Sequence, residues 1–349
     1  MRKLLLSALL ATLPATVVPA AEGRVPISGP VSISVPGTYV VTNDITVTSG
    51  SAIVIKAMNV TLDLNGRTLS SPAGADVIQI SEIAAPRGVV VRHGRLVGGA
   101  NGIHSGGSNR VELRVEDVEV DNVVNMGIYV EAAQSVDIVG CRIHGAGHSG
   151  IYVLGSTGAF DGRVSGNLVE GRIHKNGIVL NGLASGEVKG NVVADFGLDA
   201  GAWSGIQISA AASSWRAGGN LVMDNTVSSF PGGLDDYGIR IDAFSPRNLL
   251  MNNDLRKNGL FGIWVASDDN RLVRNIASDN GSHGLTIGIA AAGSRNHLEG
   301  NQTQGNAGCG INFSNTNSHL YRNNILRTNT GGCVCGAGAP IIDAGGNIC

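Results

Sequence analysis

The chain repeats a short alternation of apolar and polar residues that begins at a glycine. Copies include Gly127-Ile128-Tyr129-Val130, Gly150-Ile151-Tyr152-Val153 and Gly238-Ile239-Arg240-Ile241, and they recur every 22 to 33 residues from Gly102 to Gly310. A period of two residues is typical of a β-strand with one buried and one exposed face. Each copy therefore predicts one short strand.

Two further apolar segments follow within each repeat, such as Val136-Asp137-Ile138 and Cys141-Arg142-Ile143. Three short strands separated by Gly and Asn turns cannot bury a hydrophobic face alone, but stacked repeats bury a continuous core. The sequence thus predicts an all-β, single-domain parallel β-helix solenoid of about eleven coils.

An asparagine recurs at the turn between the second and third strands of the repeat. The copies are Asn167, Asn191, Asn225, Asn253, Asn275, Asn301 and Asn324. Asn tolerates a left-handed backbone and bonds neighbouring main chain, so stacked copies predict a hydrogen-bonded ladder. Asp117 and Cys141 are predicted to occupy this position in earlier coils, which makes Cys141 a buried turn residue and not a nucleophile.

These repeats, with the opening Pro36-Gly37-Thr38-Tyr39 and the later Asn59-Val60-Thr61-Leu62, resemble a known family. They are similar to the generic right-handed parallel β-helix repeats of the pectin-lyase-like superfamily, including NosD-like chains, over about residues 25 to 335. The resemblance implies a right-handed coil but no single enzyme family. The Asn-Thr-Asp and Arg-Ile-Lys elements of the polygalacturonases are absent, and Tyr237-Gly238 matches only the start of the alginate epimerase motif.

The ends of the chain differ from the repeats. Residues 1–21 have the charged, apolar and small-residue regions of a secretory signal peptide, so we expect an exported protein, periplasmic or secreted. We expect residues 22–50 to form an N-terminal cap and first partial coil, 51–332 the β-helix, and 333–349 a C-terminal cap. The cap is predicted to be pinned by disulfides among Cys309, Cys333, Cys335 and Cys349, in a connectivity the sequence leaves open.

Composition and charge limit the classes of molecule that the protein is expected to bind. Charged residues make up 15% of the chain and the formal net charge is −2, which gives no basic footprint for nucleic acid and no polybasic membrane patch. Aromatic residues are only 4% of the chain, yet several fall on or beside the Gly-Ile-x-Val strand. Exposed rings beside mixed charges fit a polysaccharide groove. We expect a monomer that binds polysaccharide.

Candidate site residues lie on the outward face of that strand or just before it. The candidate catalytic residues are Arg240, Asp236, Tyr237, Asp242, Lys175 and His148, and the candidate substrate-binding residues are Tyr152, Trp264, Trp203, Tyr129, Gln207 and Phe261. No cofactor is required by the pattern. Asp236 and Asp242 are candidate ligands for a calcium ion.

Two reaction classes use these residue types. β-Elimination at a uronic acid, or C5 epimerisation, needs a cation for the carboxylate (Arg240 or Lys175) and proton carriers (Tyr237 or His148). Hydrolysis needs paired carboxylates, for which Asp235, Asp236 and Asp242 are available. We therefore expect a polysaccharide lyase or epimerase acting on uronate-containing polysaccharide. The alternative is a non-catalytic carbohydrate-binding, NosD-like accessory or structural β-helix.

Overall fold

The structure, a computed structural model, describes residues 23–80, 87–106, 110–155, 159–210, 217–229, 235–287, 293–314, 317–336 and 341–349. The predicted signal peptide, residues 1–21, lies outside them. The described chain forms only β-strands and turns, and no helix in it is long and apolar enough to cross a membrane.

The strands of the described residues, in chain order, are short. They are β1 Arg24–Ile27, β2 Val31–Ile33, β3 Gly37–Val41, β4 Ile45–Thr46, β5 Ile53–Ile55, β6 Val60–Asp63, β7 Thr68–Ser71, β8 Ile78–Ile80, β9 Val89–Gly98, β10 Ile103–Ser105, β11 Val111–Val123 and β12 Ile128–Val139. Next come β13 Arg142–Ala146, β14 Ile151–Gly155, β15 Asp161–Ser165, β16 Leu168–Glu170, β17 Ile178–Asn181, β18 Glu187–Lys189, β19 Val192–Phe196, β20 Ser204–Ser209, β21 Leu221–Met223, β22 Thr226–Ser229, β23 Tyr237–Ile241 and β24 Leu249–Met251. The last are β25 Asp254–Arg256, β26 Phe261–Val265, β27 Arg271–Val273, β28 Ile276–Ser278, β29 Leu285–Ile287, β30 His297–Glu299, β31 Gln302–Gln304, β32 Cys309–Phe313, β33 His319–Arg322, β34 Ile325–Arg327, β35 Gly332–Cys335 and β36 Ile341–Asp343.

Parallel pairing between successive turns arranges the strands in three faces. The first sheet contains the strands after each repeat glycine and runs from β2 through β14, β17, β20, β23 and β26 to β35. The second sheet runs from β1 to β36 and the third from β4 to β34, while β9, β11 and β12 each bend across a corner and serve two sheets. The predicted parallel β-helix is confirmed, with about twelve turns.

The inward residues of all three sheets form one core. It extends from Ile27 to Leu326 without interruption, and it is built mainly of Ile, Val and Leu that are fully removed from water. Because the alternation of the strand places every second residue inside, the intervening residues face solvent. The first sheet therefore presents one outward side chain in each turn, about 4.8 Å from the next along the axis.

The asparagine ladder is confirmed. Each Nδ2 donates to the Oδ1 of the next copy at 2.8 to 3.0 Å, from Asn167 through Asn324 and on to Asn347. Cys141 caps this ladder, since its backbone N–H donates to Asn167 Oδ1. The assignment of Asp117 is wrong by one residue. The pairing of Glu119 with Arg142 puts Val118 opposite Cys141 and leaves Asp117 at the neighbouring left-handed turn.

The cysteines near the C-terminus form two disulfides, as predicted of a pinned cap. The pairs are Cys309–Cys335 and Cys333–Cys349, with Cα–Cα distances of 5.9 and 5.6 Å. The tail also continues the helix, because β35 and β36 extend the first and second sheets and Ile348 bridges Ile325. Cys141 is free and buried, and burial raises the pKa of its thiol to about 12.

Candidate functional site

The outward residues of the first sheet stack in a single column. Its members in successive turns are His104, Tyr129, Tyr152, Val179, Gln207, Arg240 and Trp264. We call this set the middle column. The predicted binding residues Tyr129, Tyr152, Gln207 and Trp264 therefore share one face with the predicted catalytic residue Arg240.

Arg240 is the centre of a compact group that we call the arginine cluster. Its guanidinium carbon lies 5.2 Å from the centroid of the Tyr237 ring and 5.1 Å from that of Trp264. Its Nε donates to Asp242 Oδ1 at 2.6 Å, and Gln207 Nε2 donates to the other carboxylate oxygen at 2.6 Å. The structure thus brings Tyr237, Arg240, Asp242, Gln207 and Trp264 together.

The electrostatics of this cluster favour binding more than proton abstraction. The positive charge of Arg240 is already balanced by Asp242. Burial raises the pKa of the Tyr237 phenol, and nearby Arg240 only partly opposes this effect. Tyr237 therefore keeps its proton near neutral pH and can act as a hydrogen-bond donor or a general acid.

The aromatic pair Phe261 and Trp264 departs from the expectation of exposed rings. Phe261 is 8% exposed and Trp264 9% exposed, and both pack with Tyr237, Leu260 and Ala266 in a small cluster outside the main core. Burial occurs because the rings of consecutive turns cover one another, with Tyr237 5.4 Å from Phe261 and 5.8 Å from Trp264. These rings brace Arg240, and little of their area is left for a ligand to stack on.

A second column lies at the corner that leads into the first sheet. Its members, two residues before the repeat glycines, are His148, Lys175, Trp203 and Asp236, and we call it the corner column. The Lys175 N–H donates to the His148 carbonyl at 2.8 Å, and Lys175 Nζ lies 5.1 Å from the centroid of the Trp203 ring. The Trp203 N–H donates to Asp236 Oδ1 at 3.3 Å.

The upper part of the corner column combines an unneutralised cation with a neutral imidazole. Burial lowers the pKa of His148 and the ammonium group of Lys175 lowers it further, while the nearby Asp199 carboxylate opposes the shift, so the ring is mainly uncharged near neutral pH. Its Nδ1 lies 2.9 Å from Ser149 Oγ. Within the described residues Lys175 has no carboxylate partner, unlike Arg240. The pair therefore has the charges needed to bind a carboxylate beside a base.

Asp236 is the lowest member of the corner column and is 1% exposed. Burial raises its pKa to about 7, while the Trp203 N–H opposes the shift. Its Oδ2 packs on Gly197, where a Cβ atom would approach to 2.1 Å. The carboxyl is thus a buried group that keeps its proton up to about pH 7 and fixes the backbone of Trp203.

The sequence prediction that Asp236 and Asp242 share one calcium ion is wrong in its geometry. The extended strand β23 separates them, which places their backbones roughly 20 Å apart at about 3.3 Å per residue. One cation cannot bridge them. Among the residues the structure describes, no group of three or more His, Cys, Asp and Glu side chains could hold a metal ion.

Tyr129 and Tyr152 lie higher on the same face, in a group that the sequence did not reveal. His104 stacks on Tyr129 with ring centroids 4.9 Å apart, and its Nδ1 lies 2.8 Å from Asp76 Oδ2. The Tyr129 hydroxyl donates to Glu131, and burial followed by this contact raises the phenol pKa. Asp76 comes just before a less regular copy of the repeat, and this corner position is the only sequence feature that pointed to its contact with His104.

The chain belongs to the right-handed β-helix family. The family model, described as a right handed beta helix region, matches residues 99–233 and 127–330, which is more than half of the chain. A search of curated protein sequences finds no match.

Solved structures share the fold. The A-module of the mannuronan C-5 epimerase AlgE4 from Azotobacter vinelandii superposes with a TM-score of 0.66 over 90% of this chain and 91% of that module, at 16% identity. A double mutant of the periplasmic alginate epimerase AlgG gives 0.64 over 86% and 78%, at 12% identity. The Dettilon tailspike protein gives 0.51 over 89% and 60%, at 15% identity. Identities this low establish a common fold alone.

Proposed function

We propose that this protein acts on a uronate-containing polysaccharide, by lyase or epimerase chemistry, on the outward face of the first sheet. One observation carries the proposal: the neutral imidazole of His148 and the ammonium of Lys175, which has no ion pair among the described residues, lie in consecutive turns of the corner column beside that face. Two structural neighbours, a mannuronan C-5 epimerase and a periplasmic alginate epimerase, make a polyuronate the first substrate class to test.

The chemistry begins with removal of the proton on C5 of a uronate. Lys175 pairs with the sugar carboxylate and stabilises the negative charge that develops there, and His148 accepts the C5 proton. Elimination follows when the C4–O bond breaks and the leaving oxygen takes the proton that His148 has accepted, which also returns His148 to its neutral form. Epimerisation follows instead when C5 regains a proton on the opposite face of the ring. Solvent water is assigned this return of the proton, because Tyr237 lies in the turn of Arg240, about 10 Å along the axis from Lys175.

The arginine cluster is assigned a binding role in this scheme. Arg240 and Gln207 lie two turns and one turn beyond Lys175 along the axis, about 10 and 5 Å away by the strand spacing. Sugar units on that side of the reacting one would therefore meet Gln207 and Arg240. Units on the other side would meet the exposed edge of Tyr152, which lies in the turn of His148. Trp203, whose ring lies beneath Lys175, holds that ammonium in place.

The test uses the mature protein on alginate, polygalacturonate and glycosaminoglycans, with and without Ca²⁺. Absorbance of the unsaturated product reports elimination, and incorporation of deuterium at C5 from heavy water reports epimerisation. We expect His148→Gln and Lys175→Met to lower the rate at least a hundredfold, since general acid–base groups contribute about 10²–10⁴-fold. Lys189→Met, on the exposed second sheet, is the matched control.

Other outcomes decide between the alternatives. Full activity in both corner-column variants would refute the assignment of residues. If no substrate gave unsaturated product, deuterium or new reducing ends, the enzymatic proposal would fail. Binding of the same polysaccharides without turnover would then support a non-catalytic carbohydrate-binding protein.

We also propose that the protein functions outside the cytoplasm as a monomer. Two disulfides are typical of chains that fold in an oxidising compartment. Residues 1–21 would direct export and then be removed, and residues 22–50, 51–332 and 333–349 would serve as N-terminal cap, β-helix and C-terminal cap. N-terminal sequencing and sedimentation of the exported protein test these assignments.

A further inference from the structure

A cavity of about 690 Å³ lies where the third sheet turns toward the corner column. Three successive turns line it, through Val124, through His144 and Gly145, and through Gly171, Arg172 and His174. We call it the corner cavity. Its volume is within the range of about 300–1,000 Å³ that ligand sites occupy, and none of the roles described above uses it.

Glycines keep this cavity open. Gly145 and Gly171 have φ values of +72° and +76°, in the left-handed region that side chains rarely adopt. A Cβ atom on Gly171 would come within 2.1 Å of His144 Nδ1, and one on Gly145 within 2.9 Å of Asn122 Oδ1. The turns therefore require glycine, and no side chain from these two positions fills the concavity.

Arg172 provides the cavity with a group that can bind an anion. Arg172 is exposed and forms no ion pair among the described residues. It does so although acidic residues slightly outnumber basic ones in the protein. His174 is fixed by Asp199, with Nδ1 2.9 Å from Oδ1. His144 packs its Nδ1 against Gly171, and this atom has no hydrogen-bond partner in the described structure. The opposite ring edge of His144 is therefore the one available to a ligand.

Most acidic groups of the surrounding strands are already engaged. Asp121 accepts from Arg95 at 2.6 Å, and Glu170 accepts from Arg142 at 2.8 Å. Asp195, on the next turn, is the acid left exposed without an ion pair in the described part of the chain. Asp199 is held against His174. Arg172 is the cationic side chain of the lining, and its guanidinium can bind an oxyanion through two parallel hydrogen bonds.

We propose that the corner cavity binds the carboxylate of a uronate unit that flanks the reacting one. The inference rests on the proposed function, because His174 precedes Lys175 and Gly147, also in the lining, precedes His148. A sugar held here would lie directly beside the corner column. The substrate is then a chain with at least two acidic units within reach of neighbouring subsites.

The test measures binding of sodium glucuronate to the full-length mature protein by ligand-observed NMR, with glucose and sodium sulfate as comparison probes. We expect Arg172→Ala to weaken glucuronate binding at least tenfold. Val124→Glu should weaken it and Val124→Lys strengthen it, because Val124 is half exposed at the rim and tolerates a charge. Arg327→Ala, on the same sheet but several turns away, should leave binding unchanged.

The outcomes separate this proposal from the one on which it rests. Unchanged glucuronate binding in Arg172→Ala overturns the cavity assignment, even if the polyuronate assays show turnover. Equal binding of glucose overturns it as well, and equal binding of sulfate overturns the sugar carboxylate as the specific ligand. Arg172-dependent glucuronate binding without turnover of any polyuronate supports the cavity and refutes the enzymatic proposal.

Discussion

Asn191 offers a direct measure of what the asparagine ladder contributes to stability. Its side chain is fully buried and makes four hydrogen bonds. Its Oδ1 accepts from the N–H of Asn167 at 3.1 Å and from Asn167 Nδ2 at 2.9 Å. Its Nδ2 donates to the Val164 carbonyl and to Asn225 Oδ1, both at 2.9 Å. The substitution Asn191→Ala removes all four.

The expected loss follows from these bonds. Each buried hydrogen bond contributes roughly 1 kcal/mol net, and a partner left unpaired in the interior costs about 1–3 kcal/mol. Four bonds give a decrease of about 4 kcal/mol in the free energy of unfolding. A loss this large is exceptional for one substitution, and it arises here because the N–H of Asn167 and the carbonyl of Val164 lose a partner.

Urea denaturation followed by circular dichroism measures this free energy. Asn125→Ala removes an asparagine that is exposed and should change stability by no more than about 0.5 kcal/mol. Since long repeat arrays can unfold in stages, hydrogen exchange at the Asn167 amide provides a local readout, and this amide should lose protection in Asn191→Ala. A loss below about 1 kcal/mol with unchanged Asn167 protection would refute the reasoning.

Three further predictions concern the site and the cap. Because burial raises the pKa of Asp236 from 3.8 to about 7, the folded chain keeps a proton that the unfolded chain releases, so stability should fall between about pH 4 and pH 7. Asp236→Asn should remove this decline, which we expect to be a few kcal/mol at about 1.4 kcal/mol per pKa unit. Arg240→Ala should destabilise the fold by about 1–2 kcal/mol and shift the Trp264 fluorescence, since it removes two cation–π contacts. Serine at Cys333 and Cys349 should cost about 3 kcal/mol, given a sequence separation of 16.

Each of these three predictions can be tested by a specific measurement. Unfolding curves at several pH values that decline equally in wild type and Asp236→Asn would contradict the pKa argument. Arg256→Ala, which breaks an exposed pair with Asp254, is the control for Arg240→Ala and should have an effect below about 1 kcal/mol. Peptide mapping without reduction should recover Cys333 linked to Cys349, and recovery of any other pairing would refute the cap geometry.

The periodic features of the fold could be predicted from the sequence because every repeat carries the same residue pattern. The alternation after each glycine fixes which residues face inward, and the register of Tyr152, Gln207 and Arg240 on one face follows from repeat counting alone. Placement of Lys175 in the corner column follows in the same way. The position of each of these residues along the axis is therefore a property of the repeat number.

The sequence predictions were wrong where the position of a residue within its repeat does not determine what surrounds its side chain. Trp264 has an outward position, which predicts exposure, yet neighbouring rings bury it. Asp236 and Asp242 are both acidic and close in sequence, which suggests a shared metal ion, but an extended strand keeps them apart. The pairing of His104 with Asp76 joins residues of different turns and has no signal in either repeat.

The sequence by itself determined the β-helix, the residues of each face, the asparagine ladder and the clustering of cysteines near the end of the chain. These are local, repeated properties: a period of two residues, a turn asparagine and a fixed coil length. The tertiary structure decided the disulfide partners, the pairing of Arg240 with Asp242, the open cation of Lys175 and the corner cavity. These features depend on the distances between side chains in different turns and on the burial of those side chains. Neither can be predicted from the sequence of a single repeat.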